Sequence, residues 1–287
     1  MSSPGRRAGP PQARPDPLGG SIVVPGDRGA VMSTWILLRG LTRGSGHWAG
    51  FPDALKARLG DTRLVTLDLP GNGALHRLRS PARIEAMTQE SVARLHALGI
   101  EPPWHLLAVS MGAMVAVDWA ARAPHTLAGC VLINTSLRPF SPWYQRLRPS
   151  SHAGLLRAAL LPMRSAAREA VILRLTSANP AAAASVLPHW AALRDTQPVS
   201  VANAMRQLVA AGRYRPAAQA PAVPMLVLCS ARDALVDPRC SVALADRWNT
   251  DIAVHPSAGH DLTLDDGPWV ADQVARWLHR PAPQSTP

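Results

Sequence analysis

Along this chain, short unbroken apolar runs alternate with longer stretches in which apolar residues return at helical spacing. The runs Trp35-Ile36-Leu37-Leu38, Leu64-Val65-Thr66-Leu67, Trp104 to Val109 and Ala128 to Ile133 have the length and continuity of strands buried on both faces. Between them, Pro52 to Leu59 predicts a short helix ended by Gly60. Ser80-Pro81 supplies an N-cap and a first-turn proline for a second helix, whose Ile84, Met87, Val92, Leu95 and Leu98 keep to one face until Gly99. A third helix runs from a turn at Ser110 to about Ala123 and stops at Pro124. Strands alternating with helices make βαβ units, so the fold class predicted is α/β, a mostly parallel doubly wound sheet with helices on both faces. Ligands of such sheets bind at the carboxyl ends of the strands.

The pattern changes after Asn134. From Leu137 to about Pro221 no strand is legible; Leu155–Leu161, Ala166–Leu175, Ala182–Leu193 and Val199–Ala211 read as short helices punctuated by Pro149, Pro162, Pro180, Pro188 and Pro198. Residues 137–221 are therefore expected to form a helical lid above the carboxyl edge of the sheet. The sheet resumes at Met225 to Cys229, followed by a helix near Arg239–Trp248, a strand at Ile252–His255 and a last helix at Trp269–His279. The core then comprises residues 32–136 and 222–280. Residues 1–31 are rich in Pro, Gly and Arg, with Ile22-Val23-Val24 as their one apolar cluster, and are expected to be a disordered tail, as are residues 281–287. Met32 lies three residues before the first strand and is an alternative start of translation.

Composition narrows the setting. No apolar run reaches the ~18 residues of a membrane span, so neither a membrane anchor nor a membrane partner is expected. Cys130, Cys229 and Cys240 have no paired spacing, and residues 1–20 have no apolar core of a secretory signal; a reducing, cytoplasmic location follows as the expectation. The net charge of +11 is carried by arginine, with Lys56 the only lysine, in an Ala- and Pro-rich chain whose coding bias would produce the same excess. Without a basic helix, zinc spacing or stacking-aromatic motif, nucleic acid is not an expected partner. No His/Cys/carboxylate cluster has ligand spacing, so no metal and no other cofactor is expected.

The chemistry centres on Ala108-Val109-Ser110-Met111-Gly112. A serine on a sharp strand-to-helix turn needs small neighbours two residues away on either side. Ala108 and Gly112 provide them, and the first amides of the helix point to where an oxyanion would form. Two later loops leave the carboxyl edge of the same sheet: Ser230-Ala231-Arg232-Asp233, with a carboxylate, and Ser257-Ala258-Gly259-His260-Asp261, with an imidazole. The roles expected are Ser110 as nucleophile, His260 as general base and then acid, and Asp233 as the group that fixes the imidazole tautomer. Asp237 and Asp261 are rival acids; the first precedes Pro238 and reads as a helix cap, and the second adjoins His260 and points elsewhere. His47, His76, His105 and His255 read as packed or surface residues, and Asp68 as a turn residue.

These motifs resemble the α/β-hydrolase superfamily over about Thr34 to Leu278. The order serine, acid, histidine is that of the family, and Asp68-Leu69-Pro70-Gly71-Asn72-Gly73 is similar to its Asp-x-Pro-Gly-x-Gly turn. The similarity is strongest to small bacterial carboxylesterases and to esterases of the biotin-pathway acyl-carrier methyl ester type. The resemblance implies oxyanion donors at the backbone amides of Leu41 and Met111. Where the family has His-Gly after its first core strand this chain has Arg39-Gly40, so the hydrogen bonds supporting that loop must differ.

The expected activity is that of a serine hydrolase cleaving a carboxylic ester or thioester through an acyl-enzyme. C–C hydrolysis, acyl transfer or lyase chemistry on the same residues, and a non-catalytic binding protein, are the alternatives. Seven arginines from Arg138 to Arg174 face the single acid Glu169. The segment beginning at Leu137 leaves the active-site edge, so Trp143 is expected in the acyl pocket and Arg138, Arg146 and Arg148 at its entrance. The expected partner is a small-molecule ester or an acyl-carrier-linked substrate; the arginines read either as a solvated basic lid over a neutral-ester pocket or as a match for negative charge carried away from the scissile bond.

Overall fold

In each central strand successive side chains enter opposite layers, which is why the strands read as unbroken apolar runs. A computed structural model describes residues 21–24 and 33–280. Its strands are β1 (Ser21–Val24), β2 (Ser33–Leu38), β3 (Thr62–Leu67), β4 (Trp104–Val109), β5 (Leu127–Ile133), β6 (Met225–Ser230) and β7 (Asp251–His255). They form one sheet in the order β1-β3-β2-β4-β5-β6-β7. Strands β2 to β7 are parallel, and β1 runs antiparallel to β3. This is the expected mostly parallel α/β sheet.

Helices α1 (Phe51–Leu59), α2 (Ile84–Ala97) and α3 (Met111–Arg122) are the crossovers of the first half. Between β5 and β6 the chain is helical: α4 (Trp143–Arg146), α5 (Pro149–Leu160), α6 (Ser165–Thr176), α7 (Pro180–Thr196) and α8 (Val201–Arg213). The second half adds α9 (Arg239–Trp248), α10 (Leu262–Asp265) and α11 (Gly267–Leu278). Helix α5 starts before the expected Leu155, because Pro149 opens the helix instead of punctuating it.

Ile36, Leu38, Leu106, Ala108, Cys130 and Leu132 pack with α2, α3 and α9 on one face of the sheet. Trp35, Leu37, Leu107, Val109, Val131 and Ile133 pack with α1, α10 and α11 on the other. Each such Leu or Ile contributes roughly 1.5–3 kcal/mol relative to exposure, which holds the strand ends, and the loops on them, in fixed positions. The three cysteines are free and buried in this core. Among the described residues no helix is long and apolar enough to cross a membrane.

One expectation is corrected. Ser21–Val24, assigned above to a disordered tail, is a strand, with Ile22 opposite Thr66 and Val23 opposite Val65. The reason is the edge of β3, whose backbone groups on that side need partners that a β-branched segment supplies. Residues 1–20, 25–32 and 281–287, with the alternative start at Met32, lie outside the described residues.

Candidate active site

Ser110 occupies the turn between β4 and α3 with φ 57° and ψ −117°, a conformation costing a non-glycine residue on the order of 1–3 kcal/mol. The surroundings hold it there. Ser110 N donates to Ile133 O at 2.8 Å, and its carbonyl accepts from Thr135 Oγ1 at 2.9 Å and Ala113 N at 3.1 Å. The small neighbours have specific causes. A Cβ on Gly112 would lie 2.6 Å from Arg39 O, so the end of β2 can approach only a glycine. A Cβ on Gly40 would lie 3.0 Å from Ser110 Cβ, so the loop after β2 also rests against the turn. Met111, as first residue of α3, has an amide with no intrahelical acceptor. Leu41, Ser110 and Met111 line one cavity of about 340 Å³ together with His260.

Asp233, 1 % exposed, leaves β6 in a tight turn. Its Oδ1 accepts from Leu235 N at 2.8 Å and Val236 N at 2.9 Å, and its Oδ2 meets His260 Nδ1 at 2.6 Å. Burial pulls the His260 pKa down, but the charge of Asp233, its hydrogen bond and the charge of Asp261 outweigh burial, and the imidazole is held above its ordinary 6.5. Both loops are fastened by Asn134, at φ 48° after β5. Its Nδ2 donates to Ser230 Oγ (3.0 Å), Gly259 O (3.3 Å) and His260 O (2.8 Å), while its Oδ1 accepts from Ser230 N (2.9 Å). Sequence reasoning sees in Asn134 only a residue that cannot serve as an alternative carboxylate, and misses this role; its one signal is an Asn at a strand end, where a positive φ is tolerated.

The rival acids have other partners. Asp237 accepts from the Arg239 backbone and pairs with its guanidinium at 2.6 Å. Asp261 receives Arg39 in a fork, Nη1 to Oδ1 at 3.0 Å and Nη2 to Oδ2 at 2.5 Å, while Nη1 also reaches Thr263 Oγ1 at 3.1 Å. Burial raises the Asp261 pKa, but the charge and hydrogen bonds of Arg39, with the charge of Arg43, overcome it and the net shift is downward from 3.8. The Arg39-Gly40 departure is thereby explained: the loop bearing Leu41 is tied by a buried ion pair to the residue after His260. Asp68 accepts from Ser45 N, Ser45 Oγ and Ala74 N, as a turn residue should. His47, His76 and His255 bond to local backbone, and His105 stacks on Trp35.

The loop after β2 is also fastened to the helical segment above it. Thr42 N donates to Gln207 Oε1 on α8 at 2.9 Å, and Gln207 Nε2 donates to Asn72 Oδ1 at 2.7 Å. Arg43, 8 % exposed, pairs with Glu169 Oε1 on α6 at 2.5 Å and lies 4.7 Å over the Trp190 ring of α7. Arg194 shares the same carboxylate through Oε2 at 2.9 Å.

Of the four residues expected to bind substrate, the structure brings one to the cavity. Arg146 lines it, with Nη2 donating to Ala211 O at 2.7 Å. Arg148 instead donates to Asp233 O at 2.9 Å and so braces the acid loop from behind. Arg138 is exposed outside the cavity, and Trp143, on a helix of one turn, is 70 % exposed. Leu137, which is buried, takes the inward position of this segment and leaves Arg138 facing solvent. Among the described residues no group of three His, Cys, Asp or Glu side chains could hold a metal ion.

A buried carboxylate on Nδ1 of a histidine that lines one cavity with a strained serine is an arrangement chemically suited to deprotonating a hydroxyl. The sequence profile of the "Alpha/beta hydrolase family" matches residues 35–273. Among curated proteins none matches the chain by sequence. Solved structures of similar fold include an esterase from Thermogutta terrifontis with malate bound, at 21% identity and TM-score 0.65, the alignment covering 91% of this chain and 92% of the other. The enol-lactonase from Burkholderia xenovorans LB400 aligns at 21% identity and TM-score 0.70, covering 91% and 97%. At such identities the likeness concerns the fold.

Proposed function

The chain belongs to the α/β hydrolase family, and from that premise we propose that it is a serine-dependent hydrolase of carboxylic esters or thioesters working through an acyl-enzyme. The observation that carries this reading is the 2.6 Å contact of Asp233 with His260 Nδ1, which leaves Nε2 as the free imidazole nitrogen in a cavity shared with Ser110. The esterase and lactonase activities named for two structural neighbours are of the same acyl–oxygen type.

In this reading His260 Nε2 takes the hydroxyl proton as Ser110 Oγ attacks the carbonyl carbon. Asp233 keeps the proton on Nδ1 and stabilises the imidazolium. The amides of Leu41 and Met111 receive the oxyanion. His260 then hands its proton to the leaving alcohol or thiol, and a water deprotonated by the same nitrogen releases the acid and restores Ser110. A receptor would need none of these groups together, which argues against the binding-protein alternative. Three buried free thiols support action in a reducing compartment, the cytoplasm, on a small-molecule or carrier-linked ester.

The test is labelling by a fluorophosphonate and turnover of short p-nitrophenyl esters in wild type, Ser110→Ala and His260→Ala. Each change should abolish turnover by on the order of 10⁴-fold or more, and Ser110→Ala should abolish labelling. Asp233→Asn should be severe and Asp237→Asn mild. Retained turnover in Ser110→Ala refutes the mechanism.

A further inference from the structure

Ester hydrolysis as such needs no arginine, yet Arg39, Arg43, Arg146, Arg168 and Arg194 all line the cavity, against Asp261 as the one lining carboxylate among the described residues. Most of these guanidiniums are already engaged. Arg39 is taken up by Asp261 and Thr263, Arg194 by Glu169 through two nitrogens, Arg146 in part by Ala211 O, and Arg168 by Leu161 O. Arg43 differs. It is nine-tenths buried, it shares Glu169 with Arg194, and its Nη2 has no hydrogen-bond partner among the described residues. Arg39, Arg43 and Arg194, the lining cations that pair with side-chain carboxylates, face two such groups among the described residues, Asp261 and Glu169. One positive charge is left over in a desolvated setting, where an unpaired charge is costly unless a ligand completes it.

The position of Arg43 gives that charge a use. It lies two residues after Leu41, on the loop that rests against Ser110, and stacking on Trp190 together with the Glu169 pair fixes its planar fork. A fixed fork with a free edge matches a carboxylate. Elsewhere the wall is apolar: Leu155 of α5 and Val201, Met205 and Leu208 of α8. We propose that the cavity is built for a carboxylate-bearing ester with an otherwise apolar body, and that Arg43 is the residue holding its free carboxylate. The anion site is thus buried in the loop after β2, away from the exposed Arg138. The proposal rests on the hydrolase reading for turnover and is independent of it for binding.

Two esters of equal length test it, monobutyl glutarate and butyl pentanoate, followed by acid release in wild type, Arg43→Gln, Arg43→Lys and Arg138→Ala. Alongside, glutarate binding is measured calorimetrically with Ser110→Ala alone and combined with Arg43→Gln. The expected result is a kcat/KM preference for the acidic ester of about tenfold or more. Arg43→Gln removes the preference, Arg43→Lys restores part of it, and Arg138→Ala keeps it. Glutarate should bind Ser110→Ala and lose about tenfold or more in affinity with Arg43→Gln. Equal use of both esters, or a preference that survives Arg43→Gln and disappears in Arg138→Ala, overturns the proposal. Should Arg43→Gln not fold, competitive inhibition of butyl pentanoate turnover by glutarate in wild type, weakened in Arg43→Lys, decides the same question; no inhibition overturns it. If neither ester is turned over while glutarate binding depends on Arg43, the hydrolase reading fails and the anion site stands.

Discussion

Asp261→Asn removes one charge from a pair in which Arg39 and Asp261 are 4 % and 5 % exposed in their side chains, and it leaves the Arg39 guanidinium buried opposite a neutral amide. Breaking a buried pair from one side costs about 3–5 kcal/mol. Against a total stability of about 5–15 kcal/mol that is a large share, and at roughly 2–4 °C per kcal/mol it lowers Tm by about 6–20 °C. The pH dependence carries a sign. The folded-state pKa of Asp261 is depressed below 3.8, so its contribution is present above the unfolded value and lost as pH falls through the folded one. In acid melts the wild type should therefore lose this part of its stability only below the ordinary carboxylate range, and the variant should not show that step. The pair also joins the loop of Leu41 to the histidine loop, so kcat should fall more than KM rises. The double change Arg39→Met with Asp261→Leu should recover much of the Tm, because two apolar side chains remove the orphaned charge, without recovering kcat. A Tm loss of under ~2 °C in Asp261→Asn, with kcat unchanged, would refute this account of the ion pair.

Since the His260 pKa is raised above 6.5, the acid limb of kcat/KM should have its midpoint above that value, and Asp233→Asn should move whatever activity remains to lower pH. The same shift contributes stability that is full below 6.5 and lost as pH rises through the folded value, which thermal melts across neutral pH would detect. Asn134→Ala should cost roughly 1–3 kcal/mol by leaving Ser230 N and the His260 carbonyl unpaired, and should lower kcat; Asn134→Gly, which accepts φ 48°, should recover less than half of the Tm loss if the hydrogen bonds dominate. Removing residues 1–31 takes β1 from the edge of β3 and should lower Tm by about 2–4 °C for each kcal/mol of lost pairing; an unchanged Tm would show that the edge needs no partner.

The strands, the order of elements and the turn at Ser110 were legible because each depends on residues close in sequence. A doubly buried strand needs a continuous apolar run, and a sharp turn against another strand end needs Ala108 and Gly112. The loops of Asp233 and His260 were legible for a related reason: in a parallel sheet every strand end arrives at the same edge, so order alone brings them together. The pairings that set the site's electrostatics were not legible. Arg39 and Asp261 are 222 positions apart, and Arg43, Glu169 and Arg194 come from a loop and two helices. An arginine in a sequence reads as solvated, and only a partner brought to it by the fold makes burial affordable. The same limit misplaced Trp143, since a helix of one turn has too short a pattern to say which side meets the cavity, and Arg148, which caps the next helix and meets the Asp233 carbonyl only in the folded chain. Three apolar residues at Ile22 to Val24 were likewise too few to announce a strand until β3 supplied an edge that required one.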